Sequence, residues 1–163
     1  MSILPIITSP DPILNKAAQP VRSFEDEIKK LAEDMAQTMR QNDGMGLAAP
    51  QIGKSIKMAV IEIMPKEDDK DKVSPVPLTV LINPKIIWSS QVTTVMEEGC
   101  LSLPGINLDI ERSEAVNVLY RDLTGRRQRI RAKNLMARLC QHEIDHLNGV
   151  LMTDHHDIGP SGS

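Results

Sequence analysis

Residues 133–148, KNLMARLCQHEIDHLN, predict a helix that ends at the following Gly149. His142 and His146 are four residues apart, so they lie one turn apart on the same helix face and can bind one metal ion. Glu143 projects beside that face and can reach a metal-bound water without binding the ion. Histidines at this spacing also occur on ordinary helices, and the glutamate at the second position is what favours a catalytic metal site.

A catalytic metal of this kind needs a third protein ligand and one open position. Cys100, in EEGCLS (residues 97–102), would provide a thiolate that suits Zn²⁺ or Fe²⁺. Cys140 lies about 200° around the helix from His142, so we expect a buried thiol that takes no part in the site. The downstream alternatives for the third ligand are Asp154, His155, His156 and Asp157.

A third segment, GMGLAAPQ (residues 44–51), follows a predicted helix. Its paired glycines would let the backbone approach a ligand closely. The amide N–H of Gln51 could hold a developing oxyanion. Taken alone, a glycine-rich turn after a helix is an ordinary loop.

The rest of the chain contains more strands than helices. Apolar residues from Ile28 to Met39 recur at helical spacing, which predicts an amphipathic helix that begins near a capping box at Ser23–Asp26 and ends near Asn42–Gly44. A hairpin is predicted from two alternating segments, 115–121 and 127–131. Four further strands are predicted at 58–63, 78–83 (closed by Pro84), 86–88 and 92–95, with residues 66–77 as an exposed loop.

Because strands and helices do not alternate regularly, we expect an α+β fold. Largely antiparallel β-sheets would pack around the central metal-binding helix, with the amphipathic helix near the N-terminus. Residues 1–154 would form a single catalytic domain and residues 155–163 a short C-terminal tail. The length of 163 residues fits one domain with a sizeable core.

Composition narrows the function classes. Residues 1–8 lack the basic region of a signal peptide, and no stretch approaches the roughly 18 apolar residues of a membrane span, so we expect a cytoplasmic protein. The net charge of −3 is too small to imply a polyanionic partner, and we expect no binding to DNA. Six basic residues between Arg121 and Lys133 are either a solvated strand face or a patch that contacts ribosomal RNA, and the net charge favours the former.

The three segments Gly44–Gln51, Glu98–Ser102 and His142–His146, in this order, resemble the motifs of the peptide deformylases. The resemblance covers about residues 3–154. It implies a hydrolase that removes the formyl group from the N-terminal formylmethionine of nascent polypeptides and releases formate. It also implies metal ligation by Cys100, His142 and His146, with metal-bound water as the nucleophile and Glu143 as general acid/base. Gln51 and the backbone N–H of Leu101 would donate to the oxyanion.

The resemblance also implies a substrate site. The backbone of Gly46 would pair with the peptide beside Gly99, and an apolar slot would hold the methionine. The slot residues would be Met45, Met96, Leu135 and Leu139, for which plain core packing is the alternative. The native metal would be Fe²⁺, with Zn²⁺ or Ni²⁺ able to replace it. The partners would be N-formylmethionyl nascent peptides and, transiently, the ribosome, with a monomeric enzyme and no membrane contact.

This chain departs from the family pattern at two points. Where many members have a substrate-binding arginine after the cysteine motif, this chain has Asn107, and Arg112 is the nearest basic residue beyond it. The chain also ends soon after Asp154, so docking on a ribosome through a long C-terminal helix is not expected. The rival hypotheses are a zinc endopeptidase with a third ligand downstream, and a non-enzymatic protein that binds formyl-peptides or metal.

Overall fold

The structure is a computed structural model that describes residues 2–69 and 73–158, with the backbone alone for 156–158. Its helices are α1 (Asp26–Gln41), α2 (Asn134–Leu147) and α3 (Met152–Ile158). Its strands are β1 (Gly46–Ala48), β2 (Met58–Ile63), β3 (Val76–Ser89), β4 (Thr93–Cys100), β5 (Leu103–Ser113), β6 (Ala115–Arg121) and β7 (Arg127–Lys133). No helix among these residues is long and apolar enough to cross a bilayer.

The strands form two antiparallel sheets. One has five strands in the order β1-β2-β3-β6-β7, and the other is the β4–β5 hairpin. This arrangement confirms the predicted α+β class, the predicted β6–β7 hairpin and the predicted helices α1 and α2.

The two faces of the five-stranded sheet bury different helices. Met35 and Met39 of α1 pack against one face, on Met58, Val60 and Ile82. The other face contributes Ile61, Leu81, Val116 and Val118, which pack against Ala137, Cys140 and Ile144 of α2. The β4–β5 hairpin also contacts α2. The metal-binding helix is therefore central, as the sequence predicts.

The prediction that Pro84 closes a strand is wrong. β3 continues through it to Ser89, and the two short strands predicted at 78–83 and 86–88 are one. The register between β3 and β6 shifts between Ile82 and Lys85, and Asn83 has φ 49°. This β-bulge leaves residues out of the hydrogen-bond ladder, so the missing N–H of proline does no harm there. Asn83 is held by Val21, whose N–H and C=O both bond its side-chain amide at 2.8 Å.

The segment after α2 includes the first residues of the predicted C-terminal tail, 155–163. Residues 155–158 belong to α3, and 159–163 lie outside the described residues. Leu151 and Met152 are buried with Leu14, Leu103 and Ile110, and the N–H of Leu151 donates to Asp154 Oδ2 at 2.8 Å. Burial and this capping bond stabilise the short helix.

Three smaller expectations are also wrong. The capping box at Ser23 does not form, because α1 begins after Glu25 with no side-chain cap. The glycine-rich segment at 44–51, which taken alone predicts an ordinary loop, contains β1 and overlaps a 3₁₀ turn at Ala49–Ile52. The predicted loop at 66–77 overlaps the start of β3, while its residues 70–72 lie outside the described part of the chain.

Candidate metal centre

The three predicted metal ligands meet at one point. Cys100 ends β4, and His142 and His146 lie one turn apart on α2. Cys100 Sγ is 3.4 Å from His146 Nε2, which is 3.2 Å from His142 Nε2. The three donor atoms all lie within 4.8 Å of one another.

These spacings fit one tetrahedral ion. Metal–nitrogen bonds of about 2.0–2.1 Å and a metal–sulfur bond of about 2.3 Å, at tetrahedral angles, place the donor atoms about 3.3–3.6 Å apart. Among the described residues the donor group contains these three atoms and no fourth. Three protein ligands are what a catalytic site needs, because the remaining position stays open.

The downstream candidates do not join this group. Asp154 accepts from the Leu151 N–H, and His155 Nε2 bonds Asp145 Oδ2 at 2.7 Å. The side chains of His156 and Asp157 lie outside the described residues. The third donor of the described cluster is Cys100, which lies upstream of α2, whereas the endopeptidase hypothesis expects a downstream ligand.

Glu98 orients the first histidine. Its Oε1 lies 2.9 Å from His142 Nδ1, so the opposite ring nitrogen, Nε2, points to the donor group. Glu98 also pairs with the buried guanidinium groups of Arg112 and Arg138. Burial opposes its charge, but the hydrogen bonds from His142 and Arg112 outweigh burial and lower the pKa of Glu98 to about 2. The sequence places Glu98 in the cysteine motif but does not reveal this role, although a ligating histidine needs such an acceptor.

Arg112 belongs to this network and not to a peptide-binding surface. It is 5% exposed, and its Nη1 also donates to Asp145 Oδ2 at 2.9 Å. Asp145, which lies on α2 between the two histidines, contacts the network through Arg112. Asn107, the other residue considered at the arginine position, lines the cleft beside the donor atoms.

The two histidines differ in protonation. Burial lowers the pKa of His146 well below its ordinary value, which favours the neutral form that binds metals. Its Nδ1 is buried without a hydrogen-bond partner among the described residues. Burial also acts to lower the pKa of His142, but the hydrogen bonds to Cys100 and Glu98 outweigh it and raise this pKa to about 10. These contacts favour the protonated imidazole, whereas a histidine that binds a metal ion is neutral.

Glu143 is buried beside the donor group. It is 3% exposed, its Oε2 has no hydrogen-bond partner in the described structure, and burial raises its pKa to about 7. The carboxylate rests against the backbone of Gly46, where a Cβ would overlap Oε1. Glycine at this position lets β1 approach the carboxylate. A carboxyl group with a pKa near neutrality can both accept and return a proton.

Gln51 is fixed with its amide N–H toward the site. Its Oε1 accepts from the Ala48 N–H at 2.9 Å, and its Nε2 lies 3.6 Å from Cys100 Sγ and 3.1 Å from Ser102 Oγ. Ser102 donates in turn to the carbonyl of Ile7 at 2.7 Å. Ser102, two residues after Cys100, is a positioning residue that the sequence did not predict, because its hydroxyl holds the Gln51 amide.

A cleft of about 600 Å³ opens beside the donor atoms. Met45 and Met96 are 41% and 44% exposed, whereas Cys140 is fully buried on the opposite side of α2, as predicted. Burial raises the pKa of the Cys140 thiol to about 12, so it stays protonated. The cleft lining includes every predicted site residue except His146, namely Met45, Gly46, Gln51, Met96, Gly99, Cys100, Leu101, Leu135, Leu139, His142 and Glu143.

Comparison with known proteins agrees with this chemistry. The family described as "Polypeptide deformylase" matches residues 3–159. A peptide deformylase of Mesorhizobium japonicum is 47% identical over 95% of this chain and 85% of that protein, and one of Brucella suis is 44% identical over the same shares. The crystal structure of the Ehrlichia chaffeensis peptide deformylase superposes with a TM-score of 0.88 at 39% identity, over 94% of this chain and 88% of that one. A class I type b enzyme of Acinetobacter baumannii with bound Met-Ala-Ser gives 0.90 at 34% identity, over 95% and 99%.

Proposed function

Because the chain belongs to the polypeptide deformylase family, whose members remove the N-formyl group of nascent peptides in a metal-dependent reaction, we propose a role for each residue of the metal centre. The observation that carries the proposal is the meeting of Cys100, His142 and His146 beside the buried carboxyl of Glu143 in an open cleft. The three donors would hold one divalent ion. When bound, such an ion lowers the pKa of a coordinated water and polarises the formyl oxygen.

Glu143 is the general acid/base of the proposed reaction. It accepts a proton from the attacking water as the new C–O bond forms at the formyl carbon. It then returns this proton to the amide nitrogen as the C–N bond breaks, which yields a free amine and formic acid, and the acid loses its proton to water to leave formate. Its burial and its pKa near 7 support this role, because the same group must act in both directions.

Two N–H groups stabilise the negative charge that develops on the formyl oxygen. One is the Gln51 amide, held by Ala48 and Ser102, and the other is the backbone N–H of Leu101. One donor of this kind contributes about 3–4 kcal/mol to the transition state. Because Gln51 is held by its neighbours, it needs little reorganisation as the charge appears.

The remaining cleft residues bind the substrate in this proposal. The backbones of Gly46 and Gly99 lie along the peptide, and the methionine side chain enters an apolar slot. Exposure of Met45 and Met96 supports a slot, because residues used only for core packing would be buried. The apolar slot is formed by Met45, Met96, Leu135 and Leu139.

Formate release tests the proposed function. The wild-type enzyme, loaded with Fe²⁺ or Ni²⁺ without oxygen, should release formate from formyl-Met-Ala-Ser. Glu143→Ala should still bind one ion but lose about 10²–10⁴-fold in kcat. Glu33→Ala, at an exposed position of α1, is the control and should match the wild type. No formate from the wild type with a filled site would overturn the assignment, and an active Glu143→Ala would overturn the role of Glu143.

We further propose that Fe²⁺ is the native ion and that Zn²⁺ or Ni²⁺ can replace it, because a thiolate with two imidazoles suits all three. A ferrous site with a thiolate ligand should lose activity in air faster than the Ni²⁺ form. Equal half-lives in air would contradict iron bound through Cys100.

The other proposals are a single catalytic domain, a cytoplasmic location, a monomer and transient contact with the ribosome.

A further inference from the structure

Among the residues that the structure describes, no helix or strand covers part of the five-stranded sheet. α2 packs on one face, and α1 covers the other face beside β1, β2 and Ile82 of β3. The face on the α1 side continues over β6, β7 and the second half of β3, where its side chains are exposed or half-buried. We call this region the open sheet face. Its outward positions are 85 and 88 on β3, 115, 117, 119 and 121 on β6, and 127, 129, 131 and 133 on β7.

The open sheet face is strongly basic. Successive residues of a strand point to opposite faces, so the alternate cations of β7 all point outward. The strand register brings Arg127 opposite Arg121, and Arg129 in line with Leu119 and Lys85. None of its ten positions carries a carboxylate. Its six cations are Lys85, Arg121, Arg127, Arg129, Arg131 and Lys133.

These charges are not neutralised within the described structure. None of the ion pairs among residues 2–69 and 73–158 involves any of the six cations. Arg121 and Arg127 stand directly opposite one another, and like charges in that position destabilise a sheet. Charges on the edge strand β7 would discourage edge-to-edge pairing, but either sign would serve. Edge protection also does not account for Arg121 and Lys85, which lie on interior strands.

The chemistry of the open sheet face fits a nucleic-acid backbone. Four of the six cations are arginines, whose planar guanidinium binds phosphate in two places at once. Trp88 lies in the same row as Asn117 and Arg131, and it is 52% exposed. An exposed indole beside arginines offers a surface on which an unpaired base can stack. The whole chain has a net charge of −3, but six of its cations lie on this one face.

We propose that the open sheet face binds the phosphate backbone of RNA and so holds the enzyme at the ribosome. The inference rests on the proposed function, because nascent chains bring this enzyme to an RNA-rich particle. α2 and its metal ligands lie on the other side of the sheet, so RNA on the open sheet face leaves the cleft free to accept the emerging peptide.

Charge reversal on the open sheet face tests the proposal. The triple variant R127E/R129E/R131E is compared with K16E/K30E/K54E, which has the same net charge but reverses exposed lysines elsewhere. Ni²⁺-loaded protein is sedimented with purified bacterial ribosomes and titrated with a short RNA hairpin at several salt concentrations. Trp88 is the only tryptophan in the chain, so its fluorescence reports occupancy of the open sheet face.

The wild type should bind both probes with a salt-dependent affinity, and RNA should quench Trp88. The face variant should lose at least about tenfold in affinity and show a weaker salt dependence, because about three phosphate contacts are gone. The lysine variant should stay near the wild type. Both variants should release formate from formyl-Met-Ala-Ser at the wild-type rate, so a failed deformylase assignment would be visible separately.

Any of the following outcomes would overturn the RNA proposal. They are no binding by the wild type, equal losses in the two triple variants, an unchanged Trp88 signal on RNA binding, and tighter binding to phosphatidylglycerol vesicles than to ribosomes. The last would make the open sheet face a membrane surface. A concentration-dependent dimer that the face variant abolishes would likewise assign the face to a second copy of the chain.

Discussion

The five-stranded sheet and the β4–β5 hairpin both pack against α2, but they are attached to it by different interactions. The five-stranded sheet uses apolar side chains, with Ile61, Leu81 and Val118 against Ala137 and Ile144. The hairpin uses buried polar groups. Arg138 of α2 pairs with Glu98 and donates to the carbonyls of Ile110 and Thr94 at 2.9 Å, while Arg112 joins Glu98 to Asp145.

The difference matches what each sheet must do. Apolar burial is strong but non-directional, so it holds the large sheet without fixing the position of any one atom. The hairpin carries Cys100, whose sulfur must meet two imidazoles to within a few tenths of an ångström. Charged hydrogen bonds have defined distances and directions, so they can fix the hairpin in one register. Desolvation of the charges opposes this attachment, so its contribution is the accurate position of the hairpin and not a large gain in stability.

Glu98→Ala should have the largest effect, because it breaks the polar attachment at its centre. It leaves the buried guanidinium of Arg138 without a carboxylate, leaves Arg112 with Asp145 alone, and frees His142 Nδ1. We expect the free energy of unfolding to fall by about 3–5 kcal/mol and metal affinity to fall about 10–100-fold. Urea unfolding and a competition titration with a metal chelator measure the two quantities. A loss of stability with unchanged metal affinity would show that the network does not orient the ligand.

Leu81→Ala breaks the apolar attachment instead. Leu81 is fully buried under α2. Its side chain is apolar, so its truncation leaves a cavity but no buried charge without a partner. The free energy of unfolding should fall by about 2–5 kcal/mol, while metal affinity of the folded protein stays within about twofold. The same two measurements apply. If metal affinity falls as far as in Glu98→Ala, the claim that only the polar attachment of the hairpin positions the metal ligands is wrong.

The contrast between apolar and polar attachment also explains which features of the site could be predicted from the sequence. The two histidines of α2 and the helix itself were predictable, because local periodicity places His142 and His146 on one face. Cys100 followed from the need for a third ligand and from the family resemblance. The partners of Glu98 were not predictable, since Arg112 and Arg138 lie 14 and 40 residues away along the chain.

The strands and the helix that the sequence did not predict also have physical explanations. β5 begins Leu103-Pro104-Gly105, with residues that usually interrupt strands, and most of its first half is exposed. β3 passes Pro84 because a bulge at Asn83 removes the need for its N–H. α3 depends on the burial of Leu151 and Met152 against Leu14 and Leu103, contacts that no local pattern reports.

Gln141→Ala removes a neutral polar contact between the hairpin and α2, and we expect a smaller loss of stability. Its side-chain amide accepts from the Ser113 N–H at 3.1 Å and donates to the Ser113 carbonyl at 2.9 Å, which ties the end of β5 to α2. Neutral hydrogen bonds at a half-buried site contribute less than charged ones, so we expect a loss of about 1–2 kcal/mol in the free energy of unfolding. Metal affinity should fall slightly or not at all. A loss as large as that of Glu98→Ala would mean that charge is not what distinguishes the hairpin attachment.

Arg40 and Glu62 repeat the chemistry of the buried network at the edge of the molecule. They join α1 to β2 through two hydrogen bonds of 2.7 and 2.8 Å, but the Arg40 side chain is 44% exposed. Solvent screens this pair, so Glu62→Gln should lower the free energy of unfolding by at most about 1 kcal/mol at pH 7. Metal binding should not change.

The pH dependence of this last variant separates charge from shape. The hydrogen bond from Arg40 holds the pKa of Glu62 below its ordinary value, so the folded protein binds the proton less readily than the unfolded chain. The ion pair therefore stabilises the fold above the ordinary glutamate pKa of about 4.3, and this contribution disappears as the pH falls through the lower folded value. Urea unfolding of wild type and Glu62→Gln should differ at pH 7 and converge in acid. A difference that persists unchanged in acid would mean that packing, and not charge, joins α1 to β2 at this edge.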